Sequence, residues 1–162
     1  MSSEKNAGLN AWQLTLQVHR ELTHLLDDHL KSRTGLDIRT YEVLFYLSNA
    51  PDGELGLTQL SESLLLRPAA ATRFFDRMER AALSRRRKAK SDRRAVVVKL
   101  TGRGRSVFEA AQPLYSQLVR THFGRHLGDQ EAADFDAALD RVLGALRQHR
   151  EAPNVTSNDH TP

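Results

Sequence analysis

Two short helical patterns with a very short link between them constrain the fold of this chain most strongly. The first is TQLSESL, where Thr58 is positioned to cap a helix, and the link is LLR. Pro68 follows the link and suits the first position of a second helix, where its missing N–H is not needed. Two helices this close together, the second basic on its outer face, describe a helix-turn-helix.

The second of these helices has two distinct faces. Its apolar face is made of Ala71, Phe74, Phe75, Met78 and Ala82. Arg73, Arg77 and Arg80 recur at i, i+4 and i+7 and therefore share another face. The first face suits a protein core, whereas the second is either a solvated surface or a surface that meets an anion.

A strand pair follows this helix. Residues 83–87 are short and basic, and residues 95–100 read AVVVKL, an alternation in which every second side chain faces the same way. Residues 88–94 link the two as an exposed hairpin. A helix-turn-helix followed by a β-hairpin is a winged helix.

Helical periodicity also extends over both flanks of this lobe. Apolar residues recur at helical spacing from Leu9 to about Arg33, through YEVLFYLSNA after a cap at Asp37, and in two segments after a cap at Thr101. These flanking helices carry more apolar surface than a small winged core covers. We infer that they pair with a second copy of the chain.

The sequence thus predicts a mainly α-helical fold with a small β-hairpin wing (α+β). One domain is expected over residues 9–150, with a winged helix-turn-helix lobe at 36–100 and dimerisation helices at 9–35 and 101–150. Residues 1–8 and 151–162 are polar and lack periodicity, so we expect loose tails there.

The charge of the chain is unevenly distributed. Residues 67–105 hold fourteen Lys or Arg and three Asp or Glu, whereas the remaining residues hold ten basic and seventeen acidic side chains. A charge split of this size indicates one face built for an anionic partner.

Composition excludes several classes of protein. There is no Cys, which excludes disulfides, thiolate metal sites and cysteine-based redox sensing. No apolar run is long enough to span a membrane, and MSSEKNAGLN does not resemble a signal peptide, so a cytoplasmic location is expected. Glycine-rich phosphate loops, nucleophile elbows and metalloprotease helices are also missing from the sequence, so no enzymatic activity and no cofactor are expected.

At the level of motifs, the sequence resembles the MarR family of bacterial transcriptional regulators. LTQLSESLLLRPAAATRFFDRME is similar to the family's helix-turn-helix, with a Thr-Arg pair at Thr72 and Arg73. SDRRAVVVKLTGRG is similar to its wing, with Asp92 and Arg94 at the tip and Gly104 three residues after the Leu-Thr pair. The resemblance covers roughly residues 10–148.

This resemblance implies a homodimer held by its N- and C-terminal helices, with the recognition helix in the major groove of a pseudo-palindromic operator and the wing in the adjacent minor groove. It also implies a pocket between the dimer helices and the DNA-binding lobe. Family members are often repressors that a phenolic or aromatic acid releases from DNA.

Three positions depart from the family pattern. The turn reads Leu64-Leu65-Leu66 where Gly is usual, and a left-handed backbone there costs Leu on the order of 1 kcal/mol, so the sequence allows a different turn. Arg67 replaces a small polar cap, and Ala82 replaces a Gly after the recognition helix.

The chemistry of the basic residues suggests separate roles on DNA. Arg67, Thr72, Arg73 and Arg77 lie on or before the exposed helix face, and Arg73 is the best candidate to read a base because a guanidinium can bridge both acceptors on a guanine edge. The alternative for Arg77 and Arg80 is a solvated surface, paired with Asp76 or Glu79.

For the wing, we expect Arg94 to enter the minor groove and Asp92 to brace its guanidinium. The expected phosphate contacts are Arg86, Lys88, Lys90 and Arg93. The alternative for each of these is a solvated surface charge.

The sequence contains two further candidate sites. Trp12, His19 and Tyr41 combine apolar rings with polar tips and are candidates for a ligand pocket, although Trp12 and Tyr41 suit a dimer core equally well. His122 and His126 are four apart, which would place them on one helix face as a pair for Zn²⁺; ordinary helix surface is the simpler interpretation, and no metal site is predicted.

Two alternatives to a ligand-released, sequence-specific repressor stay open. One is an architectural protein that coats DNA with little sequence preference, which the excess of phosphate-type charge would suit. The other is a constitutive regulator without an effector, in which the space between the lobes is packed shut.

Overall fold

The computed structural model describes the backbone of residues 2–89 and 94–151 and the side chains of residues 6–89 and 94–149. It divides into two units, Met1–Arg120 and Thr121–Pro162. The helices of the first unit are α1 (Ser2–Thr34), α2 (Ile38–Asn49), α3 (Leu57–Ser63) and α4 (Pro68–Arg80), followed by most of α5 (Gly102–His122).

Helix ends confirm some of the predicted caps and correct others. The Thr40 backbone N–H donates to Asp37 Oδ1 over 2.8 Å, and the Gly104 N–H donates to Thr101 Oγ1 over 2.9 Å, so both of these caps are confirmed. Thr58 lies inside α3, which Gly56 precedes without a side-chain bond, so the predicted Thr58 cap is wrong. The expectation of a loose N-terminal tail is also wrong for residues 2–8, because α1 begins at Ser2.

A three-stranded antiparallel sheet forms the wing. Its strands are β1 (Glu54–Gly56), β2 (Ser84–Lys88) and β3 (Val96–Leu100), in the order β1-β3-β2. The predicted hairpin of β2 and β3 is confirmed, with Arg86 opposite Val98. Strand β1 was not predicted, because three residues are too few to show an alternation.

The core of the first unit lies between its helices and the sheet. The predicted apolar face of α4 is confirmed for Ala71, Phe74, Phe75 and Met78, which are all buried. Ala82 is exposed and lies beyond the helix end. The largest side chains that are almost fully buried come from four helices and β3: Leu30, Val43, Leu44, Leu47, Leu60, Phe75, Met78 and Val98.

The turn of the helix-turn-helix keeps a left-handed residue without glycine. Leu65 has φ 52°, and Ala82, after α4, has φ 56°. The Leu66 N–H donates to the Ser61 carbonyl over 2.8 Å and closes the turn. Arg67 precedes α4 without a side-chain cap, and Pro68 occupies the first turn as predicted.

The second unit is helical in its described part. A 3₁₀ turn (Gly124–His126) precedes α6 (Asp129–Glu151), and the rings of Phe123 and Phe135 lie 6.0 Å apart. The C-terminal tail predicted for 151–162 lies outside the described residues, apart from Glu151 at the end of α6. Among the helices of residues 2–89 and 94–151, none combines the length and apolar character needed to cross a bilayer.

Candidate nucleic-acid interface

Helix α4 presents a basic, exposed face opposite its buried one. The four residues expected to approach DNA are all exposed: Arg67, Thr72, Arg73 and Arg77. The Thr72 hydroxyl donates to the Pro68 carbonyl over 3.1 Å, as is common for a Thr within a helix. The structure therefore brings these residues together on one surface, with the apolar face of α4 fixing its rotation.

The arginines of this face differ in the contacts that their side chains make with other groups of the protein. The Arg77 guanidinium lies 5.5 Å from the centre of the Phe74 ring, close enough for a cation–π contact, and Arg80 Nε donates to the Asp76 carbonyl over 3.3 Å. Among the described residues, no side chain forms a hydrogen bond or ion pair with Arg73. Within the described part of the chain the same holds for Arg67, so the guanidinium groups of Arg73 and Arg67 are less constrained than those of Arg77 and Arg80.

Arg86 of β2 makes a network with two acids of α4. Its backbone N–H donates to Glu79 Oε1 over 2.6 Å and its Nε donates to Glu79 Oε2 over 2.9 Å. Its Nη2 contacts both Glu79 and Asp76. Burial alone would raise the pKa of Glu79, but the hydrogen bonds from the backbone and side chain of Arg86 outweigh it and lower that pKa. This network, the Arg86 clamp, joins the wing to the recognition helix.

Sequence reasoning missed the Arg86 clamp. It considered Asp76 and Glu79 as partners of Arg77 and Arg80, on the same helix. Their i, i+3 spacing was a usable signal, because it places both carboxylates on one helix face that a neighbouring strand can reach. The expected phosphate contact of Arg86 stays a prediction, and its guanidinium is already held by two carboxylates.

A second ionic group ties the three strands together. Glu54 of β1 accepts from Arg87 Nε over 3.1 Å and from Lys99 Nζ over 2.8 Å. Hydrogen bonds from Lys99 and then from Arg87 lower the pKa of Glu54. One carboxylate thus links β1, β2 and β3. It forms ion pairs with two cations of the basic segment, Arg87 and Lys99.

The wing tip is described only in part. Lys88 is exposed at the end of β2, and Arg94 is exposed just before β3. The other predicted wing residues, Lys90, Asp92 and Arg93, lie outside the described residues. The bracing of Arg94 by Asp92 therefore stays a prediction.

The three residues expected to line a ligand pocket differ in exposure, and only Tyr41 is among the residues that line the cavity between α2 and α5. Trp12 is 57% exposed, His19 is exposed, and Tyr41 is buried with 3% exposure. Tyr41 instead lines a cavity with four other residues, Glu42, Phe45, Tyr46 and Tyr115. His19 is still close enough to Glu42 to lower the pKa of that carboxyl, although burial raises it more.

The His122 and His126 pair does not have the helical spacing assumed for it. Helix α5 ends at His122, and His126 lies in the following 3₁₀ turn, so the two do not share a helix face. In the described part of the chain, no group of three His, Cys, Asp or Glu side chains could hold a metal ion.

The chain is similar to known proteins in both sequence and structure. The model of the MarR family matches residues 36–96, which contain α2, the helix-turn-helix and the start of β3. AbsC, a MarR family transcriptional regulator from Streptomyces coelicolor, is 31% identical in a structural match that covers 86% of this chain and 94% of AbsC, with a TM-score of 0.76.

Two other proteins give similar matches. A mutant MarR from E. coli, complexed with operator DNA, is 25% identical over 85% of this chain and 96% of that chain, with a TM-score of 0.70. YhbI, an uncharacterized HTH-type transcriptional regulator from Bacillus subtilis (strain 168), is 32% identical over 82 residues, which are 51% of this chain. The matched stretch spans about half of that regulator, 53% of its length.

Proposed function

Because the chain belongs to the MarR family of winged helix-turn-helix transcription regulators, which are not enzymes, we propose that it is a repressor that binds a pseudo-palindromic operator in double-stranded DNA as a homodimer. A small molecule then releases it from the operator. The observation that carries this proposal is the exposed basic face of α4, held against the wing by the Arg86 clamp. The operator DNA bound by the related E. coli mutant supports it.

On the operator, α4 lies in the major groove. Arg73 reads a base edge, and Thr72, Arg77 and Arg67 divide the remaining contacts between bases and phosphates. The lack of an internal partner for Arg73 within the described residues supports this assignment, because no existing ion pair has to break.

The wing reaches along the DNA from the same lobe. Arg94 enters the minor groove, where a narrow groove concentrates negative potential, and Asp92 braces it. Lys88, Lys90 and Arg93 contact phosphates. Since Arg86 and Arg87 are both held by carboxylates, fewer cations are available for nonspecific contact than the sequence suggests, which favours a specific regulator over an architectural protein.

The homodimer is supported by apolar surface that each unit leaves exposed. In α1 these side chains are Leu9, Trp12, Leu14, Leu16 and Val18. In α6 they are Phe135, Leu139, Val142, Leu143 and Leu146. Apolar side chains repeated along a helix in this way are typical of a surface that a second subunit covers.

Selection of bound sites from random DNA duplexes tests the proposed function. We expect the enriched sequence to be pseudo-palindromic, with half-sites about one helical turn apart, because each protomer of a two-fold dimer places one α4 in the major groove. Enrichment of a single asymmetric site would contradict the dimer. Failure to enrich any sequence would contradict specific binding and favour the architectural alternative.

A further inference from the structure

A small aromatic cavity lies between α2 and α5, inside the first unit. It has a volume of about 170 Å³ and is lined by Tyr41, Glu42, Phe45, Tyr46 and Tyr115. Tyr41 is buried, whereas Phe45 and Tyr46 are 45% and 40% exposed, so the cavity has a closed inner end and an accessible rim. Its size suits one aromatic ring with a short substituent better than a large drug-like molecule.

The rings that line the cavity also pack against one another. Tyr41 and Tyr115 stack with centroids 4.3 Å apart and an interplanar angle of 22°, and Phe45 meets Tyr46 edge to face at 5.9 Å. The face of an aromatic ring is electron-rich and attracts cations, most strongly where water is excluded. The walls therefore favour a ligand that is both apolar and positively charged.

Glu42 supplies the charge of this cavity. None of the described residues that line it is a Lys, Arg or His. Within the described part of the chain, no hydrogen bond or ion pair engages the Glu42 carboxylate. A carboxylate ligand placed here would face another carboxylate, and none of the residues that line the cavity is a cation that would offset the repulsion between like charges in a partly desolvated site.

The pKa of Glu42 agrees with this environment. Burial raises it most; His19 and Arg39 act in the opposite direction, and Asp37 raises it further. Burial and the neighbouring Glu42 also raise the pKa of Tyr115, and burial raises the pKa of Tyr41 to about 12. A half-buried acid of this kind gains most from a cation that arrives with its own apolar surface.

We propose that this cavity is the effector site and that it takes a small aromatic cation, a single ring bearing a protonated or quaternary amine, which pairs with Glu42 and packs against the aromatic lining. The inference rests on the proposed function, because it assumes that a ligand controls operator binding. The proposed ligand differs from the phenolic or aromatic acid that the family resemblance implies, because the lining of the cavity carries a negative charge from Glu42.

Calorimetric titration of the full chain with three probes of similar shape tests the ligand class. The probes are benzyltrimethylammonium, benzyl alcohol and benzoate. We expect the cation to bind roughly tenfold or more tightly than either of the others, which corresponds to one desolvated charge pairing or cation–π contact. Benzoate binding as tightly as the cation would overturn the proposal.

Variants separate the contribution of charge from that of ring area. Glu42→Gln should weaken the cation about tenfold while leaving benzyl alcohol unchanged, and Tyr46→Leu should weaken the cation several-fold. Glu109→Gln, which removes an exposed carboxylate from α5, is the matched control and should change neither. Cation affinity that survives Glu42→Gln unchanged would overturn the proposal, provided that thermal unfolding shows the variant to be folded.

The same protein preparation distinguishes this inference from the proposed function. Operator affinity is measured first without any ligand and then with saturating benzyltrimethylammonium, which we expect to weaken it at least several-fold. Specific DNA binding that the cation leaves unchanged would overturn the effector site alone. A lack of sequence preference in the absence of ligand would overturn the proposed function, whatever the cation does.

Discussion

Leu65 occupies the turn before the recognition helix with a left-handed backbone, φ 52°, and 91% of its surface exposed. A side chain in this conformation clashes with its own backbone, and almost no burial compensates for it here. From the sequence, the absence of Gly allows a different turn at this position. The structure keeps the turn, because the bond from the Leu66 N–H to the Ser61 carbonyl fixes the chain direction.

We expect Leu65→Gly to stabilise the protein. Relief of the left-handed conformation stabilises the protein by about 1–2 kcal/mol, and the greater freedom of glycine in the unfolded chain offsets about 0.5–1 kcal/mol of this, which leaves a gain of up to about 1.5 kcal/mol. Urea unfolding measures the change. Leu65→Ala is the control and should gain nothing from backbone relief, so equal behaviour of the two variants would contradict the strain at this residue.

Arg73 is the residue on which sequence discrimination is expected to depend. Arg73→Ala should cost about 1–3 kcal/mol at one base position and relax specificity there, because a bidentate contact to a guanine edge is lost. Affinity for operator duplexes substituted at each position in turn measures this. Equal weakening on every duplex would mean that Arg73 contacts a phosphate instead.

At the scale of elements, the first turn of α5 packs closely against Leu83, the residue that precedes β2. A Cβ on Gly104 would lie 2.0 Å from the Leu83 carbonyl oxygen and 2.9 Å from Leu100 Cδ1. The backbone oxygen has little room to move, since it also accepts from the Thr101 N–H over 3.2 Å. Glycine is therefore required here by close approach rather than by its φ angle.

Gly104→Ala should destabilise the first unit by at least about 2 kcal/mol, because the clash forces α5 away from the sheet. Gly102→Ala is the matched control in the same helical turn, where an added Cβ meets nothing within 4 Å. Thermal unfolding of both variants measures the difference. A Gly104→Ala protein as stable as the control would show that α5 can shift freely.

Substitution of Arg86 distinguishes a role in the Arg86 clamp from a phosphate contact. Arg86→Gln should lower stability by about 1–2 kcal/mol, as expected for a partly exposed charged network, and should weaken operator binding because the wing is no longer fixed to α4. The salt dependence of binding should stay the same. Thermal unfolding and affinity at several salt concentrations check these points.

Arg85→Gln is the control for this test, since Arg85 lies on the same strand, is exposed and carries the same charge. It should leave stability unchanged. If Arg86→Gln instead flattened the salt dependence by about one unit and left stability unchanged, Arg86 would be a phosphate contact and the clamp would not matter.

At the scale of elements, sequence reasoning succeeded where the signal was local. Pro68 and the apolar spacing after it predicted α4, and the alternation around Val98 predicted β3. It failed for β1, which is strand-like only because Leu55 pairs with Val98. It also failed for the partners of Glu79 and Glu54, because these acids meet cations on separate elements that only the folded chain brings together.

For the whole molecule, the basic segment of residues 67–105 suggested one continuous surface for a polyanion. The structure divides its cations into an internal set, which includes Arg86 and Arg87, and an exposed set, which includes Arg73 and Arg77. For the candidate ligand residues, the sequence likewise did not indicate which side chains the fold brings together. Tyr41 lines a cavity, but its neighbours there are Glu42 and Tyr115 rather than Trp12.

Competition between the selected duplex and random DNA at fixed salt tests the central claim, that this molecule reads sequence through α4 in a two-fold dimer. We predict that the wild-type protein prefers the selected duplex by 10³-fold or more, as specific regulators do. A preference of less than about tenfold would contradict the claim, because phosphate contacts alone supply nonspecific affinity of that kind.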